Sequence, residues 1–204
     1  MSDSGNLLLV GTLRLENVIR LYGFCEGLSV DNEILLVMEF VDGGTLLRFC
    51  KPSCRLALAE RLHIGERCWK GLEYIHSRDV YHKDLHENNV LVSNDLRQVK
   101  LCDFGLATLR DRMTLSQPTT TVGVARHHAP ERLRKEQTSP RKSDVYSMGL
   151  VLTSLYASRP VWTLEDGKTP MDALQFICQV KAEWPIASFP VWRHVPPELR
   201  ELCL

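Results

Sequence analysis

Three short motifs, in one order and at set intervals, constrain this chain more than any other feature of it. They are His82-Lys83-Asp84-Leu85-His86-Glu87-Asn88-Asn89, then Asp103-Phe104-Gly105, then Ala129-Pro130-Glu131. An Asp-Phe-Gly alone arises often by chance; all three in this order do not. Taken singly, Asp103 reads as a turn residue ahead of Gly105, and Asn89 as a cap on its loop.

The 204 residues suffice for one compact domain with a real core and are marginal for two. Apolar residues make up 44% and charged residues 25%, as in an ordinary soluble globular protein. The 25 basic and 25 acidic side chains balance, so nothing draws the chain to nucleic acid or to an anionic membrane. The longest apolar run, Ile34 to Val41, is interrupted by Glu39 and is too short to span a bilayer. Residues Met1 to Asn6 carry no basic region or cleavage pattern, so no secretory signal is expected and a cytoplasmic location is. The seven cysteines are odd in number and form no Cys-x-x-Cys, which suits reduced, mostly buried thiols. Cys50, Cys54 and His63 lack the fourth ligand and the spacing of a zinc site.

Hydrophobic periodicity supplies the elements. Leu7 to Val10 and Leu13 to Leu15 look like a helix end running into a strand over Glu16 to Gly23, where Val18, Arg20 and Tyr22 alternate with Ile19 and Leu21. Ile34 to Phe40 is a continuous apolar run, as expected of a strand buried on both faces. Asp42-Gly43-Gly44 breaks it, and Thr45 is placed to cap a short helix through Phe49. From Leu56 to His76, the positions Leu58, Leu62, Gly65, Cys68, Trp69, Leu72 and Ile75 recur at three and four, predicting a long amphipathic helix. Short strands follow over Asn89 to Val92 and Val99 to Leu101. A helix opens at Ser143 that is apolar nearly all round, hence central. Pro170 to Glu183 reads as another amphipathic helix, and Pro196-Pro197-Glu198 starts a last one.

Gly71 to Val92, Val99 to Ala107, Gly123 to Glu131 and Ser143 to Leu152 together resemble the helix, catalytic loop, activation loop and central helix of eukaryotic protein kinases. Glu39-Phe40-Val41-Asp42-Gly43-Gly44-Thr45-Leu46 resembles their hinge. The text around Gly123 to Glu131 is closer to serine/threonine kinases, in particular the tyrosine-kinase-like group, than to true tyrosine kinases. The resemblance implies an α+β, protein kinase-like fold: a small-lobe remnant and hinge over 1–41 and a mostly helical large lobe over 42–204. It implies ATP- and Mg2+-dependent phosphoryl transfer to protein hydroxyls. Asp84 would be the base, and Asn89 and Asp103 the magnesium ligands. His86 would stand where a lysine usually steadies the transferring phosphate, as a weaker, partly charged clamp. Met38, Glu39, Val41, Leu91, Cys102 and Asp103 would line the nucleotide site, with Met38 guarding the back pocket and Cys102 open to thiol-reactive ligands. Phe104, His82 and Leu21 would stack between the lobes, and Asp144 would accept hydrogen bonds from the catalytic-loop backbone.

Other positions depart from the family pattern. Val124 replaces a threonine whose hydroxyl usually contacts the catalytic Asp. Lys83 replaces an arginine and lacks its bidentate fork, which weakens any switch based on phosphorylation of Thr119, Thr120 or Thr121. His127 and His128 read as loop residues. No Gly-x-Gly-x-x-Gly occurs, no lysine precedes Lys51, and the usual helix glutamate falls by register on Asn6. Both ends therefore read as truncations, with an exposed edge on the remaining small-lobe strands. The expected partners are ATP and either a protein substrate or a partner kinase. The alternative to an enzyme is a pseudokinase that scaffolds or regulates signalling.

Overall fold

In the computed structural model of the chain, the described residues are 13, 15–26, 34–104, 107–109, 127–133, 136, 138–161 and 190–202. Leu7 to Val10, Asn6, Gly105, Thr119 to Thr121, Val124 and the helix expected from Pro170 to Glu183 lie outside them.

The strand expected over Glu16 to Gly23 starts later, as β1 (Leu21–Glu26), because the residues before it have another partner. Val18 forms a parallel bridge with Leu101, Ile19 N–H donates to Leu101 O at 2.8 Å, and Leu101 N–H donates to Asn17 O at 2.9 Å. The alternation holds from Ile19 to Tyr22, with Ile19 and Leu21 buried and Arg20 and Tyr22 exposed, but Val18, expected on the exposed side, is buried as well. β1 pairs antiparallel with β2 (Ile34–Met38), with a bulge between Leu21 and Gly23. The expectation that β2 is buried on both faces fails. Leu35, Leu36, Val37 and Met38 are 43–51% exposed and Phe40 is 86% exposed. An apolar strand is covered only where another layer packs on it, and among the described residues this sheet has two strands.

The turn into α1 (Leu46–Phe49) demands its glycines. Gly44 has φ +83°, and a Cβ on Gly43 would lie 2.2 Å from Val92 O. Thr45 holds the N-cap position but makes no side-chain cap bond; its Oγ1 lies 3.4 Å from Asn88 Oδ1 instead. α2 (Leu58–Ser77) buries Ile64, Gly65, Cys68, Gly71, Leu72, Ile75 and His76. Leu58 and Leu62, expected on that face, are 47% and 38% exposed. The reason lies in the partner helix α4 (Pro140–Ala157). It runs antiparallel to α2, from Asp144 beside His76 to Tyr156, whose carbonyl accepts from Arg61 Nη1 at 2.8 Å. It ends before it can cover the first turn of α2.

Between α2 and α4 the chain makes β3 (Val80–Tyr81), paired with β6 (Thr108–Leu109), and the hairpin of β4 (Val90–Val92) and β5 (Val99–Leu101). The short α3 (Pro130–Leu133) precedes α4, in which every residue from Ser147 to Ala157 is buried. The last helix is two 3-10 turns, Pro190–His194 and Pro197–Leu202. Helices and small antiparallel sheets around one core make this an α+β, kinase-like fold.

Candidate active site

The loop between β3 and β4 is held from below by one buried carboxylate. Asp144, 1% exposed, accepts from His82 N–H and Lys83 N–H, both at 2.8 Å. Its Oδ2 also lies 3.0 Å from His76 Nε2. A charge this deep is tolerable because its lone pairs are occupied. The anchoring holds Lys83 at φ 66°, a left-handed turn that presents Asp84 on the far side of the loop. Arg132 Nη1 donates to Lys83 O. Burial and the neighbouring Arg132 charge both hold the Lys83 pKa below its usual value.

Asp84 and Asn89 meet directly. Asn89 Nδ2 donates to Asp84 O at 2.8 Å and lies 3.4 Å from Asp84 Oδ2. Asp84 Oδ1 is buried and has no hydrogen-bond partner among the described residues. His86 Nδ1 accepts from Asn88 N–H at 3.3 Å, and its Nε2 lies 3.8 Å from Asp84 Oδ2. Burial pulls the His86 pKa below 6.5 although Asp84 works the other way, so at pH 7 the ring is mainly neutral.

The β4–β5 hairpin brings in the second carboxylate. Cys102 N–H donates to Asn89 O at 2.9 Å, and Asp103 follows, exposed and at φ 61°. His82 Nε2 donates to Cys102 O at 2.9 Å, and its ring lies 4.8 Å from that of Phe104. Phe104, His82 and Leu21 are all buried, as the stack requires. Asp84 and Asn89 are therefore hydrogen-bonded to each other, and Asp103 follows directly on the residue that bonds Asn89.

On the hinge side, Val41 is buried and Leu91, bridged to Thr45, is half-buried. Glu39 Oε1 accepts from Arg20 N–H at 2.6 Å and pairs with Lys100 Nζ at 3.0 Å. That carboxylate is committed to the fold, which leaves the main chain of the hinge for a base. Met38 is exposed rather than tucked behind the site. Burial, and then the Asp103 charge, push the Cys102 thiol up to about 12. A thiol with so little thiolate is a poor nucleophile, which weighs against the expectation that thiol-reactive ligands would take it.

Two residues escaped the sequence reading. Glu87 is buried, with Oε2 2.9 Å from His127 Nε2 and Oε1 accepting from Ser154 Oγ. Burial pushes its carboxyl up, but the His127 charge and hydrogen bonds from His127 and Ser154 outweigh that and hold it at about 2. His127 is buried, at 7% exposed, and its carbonyl accepts from Ser147 Oγ at 2.7 Å. The one signal available in the sequence was a glutamate and a histidine inside motifs that assign neither a role.

A sequence profile described as the protein kinase domain matches residues 6–204. The chain belongs to the protein kinase family. The serine/threonine-protein kinase SAPK9 of Oryza sativa subsp. japonica is 32% identical over 193 residues, covering 94% of this chain and 51% of the relative. The serine/threonine-protein kinase SRK2E of Arabidopsis thaliana is 30% identical over 194 residues, with the same coverage. The rice LysM domain receptor-like kinase 10 is 36% identical over 149 residues, 70% of this chain and 24% of the relative. The chain spans about half the length of the first two. Kinases transfer a phosphoryl group from ATP with magnesium. Among the described residues, no helix is long and apolar enough to cross a membrane.

Proposed function

We propose that the chain carries the acceptor and metal-binding half of an ATP- and Mg2+-dependent protein serine/threonine kinase. The observation that carries this reading is Asp84. Its buried Oδ1 has no partner among the described residues, while the rest of the loop is held in place through Asp144 and Asn89. Such a carboxylate oxygen can accept the proton of a substrate hydroxyl, which is the work of a general base.

The donor set fits magnesium. The Asn89 amide nitrogen is taken by Asp84, which leaves its amide oxygen, and Asp103 adds an exposed carboxylate; hard oxygen donors suit this ion. Bound there, the metal would neutralise charge developing on the transferring phosphoryl group. Val41, Leu91 and Cys102 would supply apolar lining for a base, with the Glu39 main chain as its hydrogen-bonding edge. His86, mainly neutral, would steady a phosphate less firmly than a lysine. The names of the relatives in rice and Arabidopsis favour serine and threonine as acceptors, on protein substrates. The five described cysteines are free thiols, which suits a reducing compartment such as the cytoplasm. Val124 and His86 are what would favour the pseudokinase alternative; against it stands the retention of Asp84, Asn89 and Asp103 together.

The test is magnesium-dependent ATP binding, read by calorimetry, together with phosphate transfer to a generic protein substrate. Asp84→Asn should keep binding and lose transfer by about 10²–10⁴-fold. Asp103→Asn should lose the magnesium dependence of ATP binding. ATP binding that ignores both magnesium and Asp103 would sink the reading.

A further inference from the structure

The catalytic loop and the segment leading into Ala129-Pro130-Glu131 are joined by a buried pair that the chemistry above does not use. Glu87 lies between His86 and Asn89, and its carboxylate reaches two elements at once. Oε2 meets His127 Nε2 at 2.9 Å, and Oε1 accepts from Ser154 Oγ, on α4. Ser154 Oγ in turn accepts from Val161 N–H at 2.8 Å. His127 is gripped a second time through its carbonyl, by Ser147 Oγ. Its ring stands 5.9 Å from that of His86, the residue that would face the transferring phosphate. Glu87 and His127 are 5% and 7% exposed. A contact this dry between two polar side chains has a fixed geometry, because loss of either member leaves the other buried and unpaired.

We propose that the Glu87–His127 pair is a built-in clamp that positions the segment before Ala129-Pro130-Glu131 on the catalytic loop, with no phosphate needed for the purpose. Glu87 and His127 are positioning residues in this role, acting on the substrate through His86 and Asp84. The proposal rests on the kinase reading for its consequence in catalysis, but the clamp itself can be tested without activity.

The experiment is hydrogen–deuterium exchange on the full 204-residue chain, followed in peptides covering the catalytic loop and His127 to Leu133. The variants are Glu87→Gln, His127→Gln, the double variant and Thr119→Ala/Thr120→Ala/Thr121→Ala. Each single change should raise exchange about tenfold in both peptides, and the double change should do no more than either single one. The threonine variant should leave both peptides protected. Histidine ring NMR supplies a readout that loosened packing alone would not move: the His86 nitrogen resonances should shift in His127→Gln while those of His63 stay in place. If Glu87→Gln fails to fold, His127→Gln and the ring resonances decide the matter. Effects confined to each variant's own peptide, additive effects, or loss of protection in the threonine variant would overturn the clamp. Loss of magnesium-dependent ATP binding in the unmodified chain would overturn the kinase reading and leave the clamp standing.

Discussion

Cys102 sits immediately before Asp103, and its position in the motif suggests a handle for thiol-directed ligands. Its surroundings decide otherwise. The side chain is 8% exposed, and burial lifts its pKa to about 12, so the attacking thiolate is scarce at any physiological pH. Cys25, by contrast, is exposed. Brief treatment of the folded chain with iodoacetamide, read by peptide mass spectrometry, should therefore label Cys25 and spare Cys102 until denaturant is added. Rapid labelling of Cys102 in the native chain would show that the site opens far more than its packing allows. The candidate catalytic residues show the other side. Asp84, Asn89 and Asp103 could be singled out from the motifs, because they keep fixed spacing along the chain. The state of His86 could not be, because it depends on burial and on Asp84 and His127, which only the fold assembles.

At the scale of elements, α2 was predicted from its period, and of its expected stripe Gly65, Cys68, Leu72 and Ile75 are buried, joined by Ile64, Gly71 and His76. What periodicity could not show was where cover stops. Leu58 and Leu62 keep the spacing yet remain exposed, because α4 ends alongside Arg61. Gly71 carries a second such lesson. A Cβ there would lie 2.8 Å from Asn17 O, where the chain crosses α2 on its way to β1. Helix propensity alone favours alanine by about 1 kcal/mol. Overpacking against a neighbour that cannot rotate away costs about 1–3 kcal/mol, and here the obstacle is a backbone carbonyl in a segment bonded to Leu101. Gly71→Ala should therefore destabilise the chain, which urea denaturation at pH 7 would measure. Equal or greater stability would mean that the Asn17 segment yields easily.

Across the whole molecule, two buried groups among the described residues carry large shifts that bear on the response to acid. His128 is 5% exposed; burial, then the nearby Arg132, lowers its pKa from 6.5 to about 3. The unfolded chain therefore takes up its proton first, and stability is lost as pH falls from about 6.5 towards 3. Glu87, held at about 2 against an ordinary 4.5, contributes stability that is present above 4.5 and lost as pH falls from there towards 2. Each group costs about 1.4 kcal/mol per pH unit within its window. Thermal melts should show Tm nearly level from pH 8 to 7, falling below 6.5 and falling faster below 4.5. His128→Gln should flatten the upper part of that fall; an unchanged profile in this variant would remove His128 from the account. By itself, the sequence determined the family, the two long helices and the candidate trio Asp84, Asn89 and Asp103, because these reside in local spacing and in side-chain chemistry. The tertiary structure alone decided which apolar residues are covered, which thiol is buried and which carboxylate is paired. Burial and charge pairing depend on neighbours brought together across long loops, as Glu87 is with His127, and no local pattern encodes them.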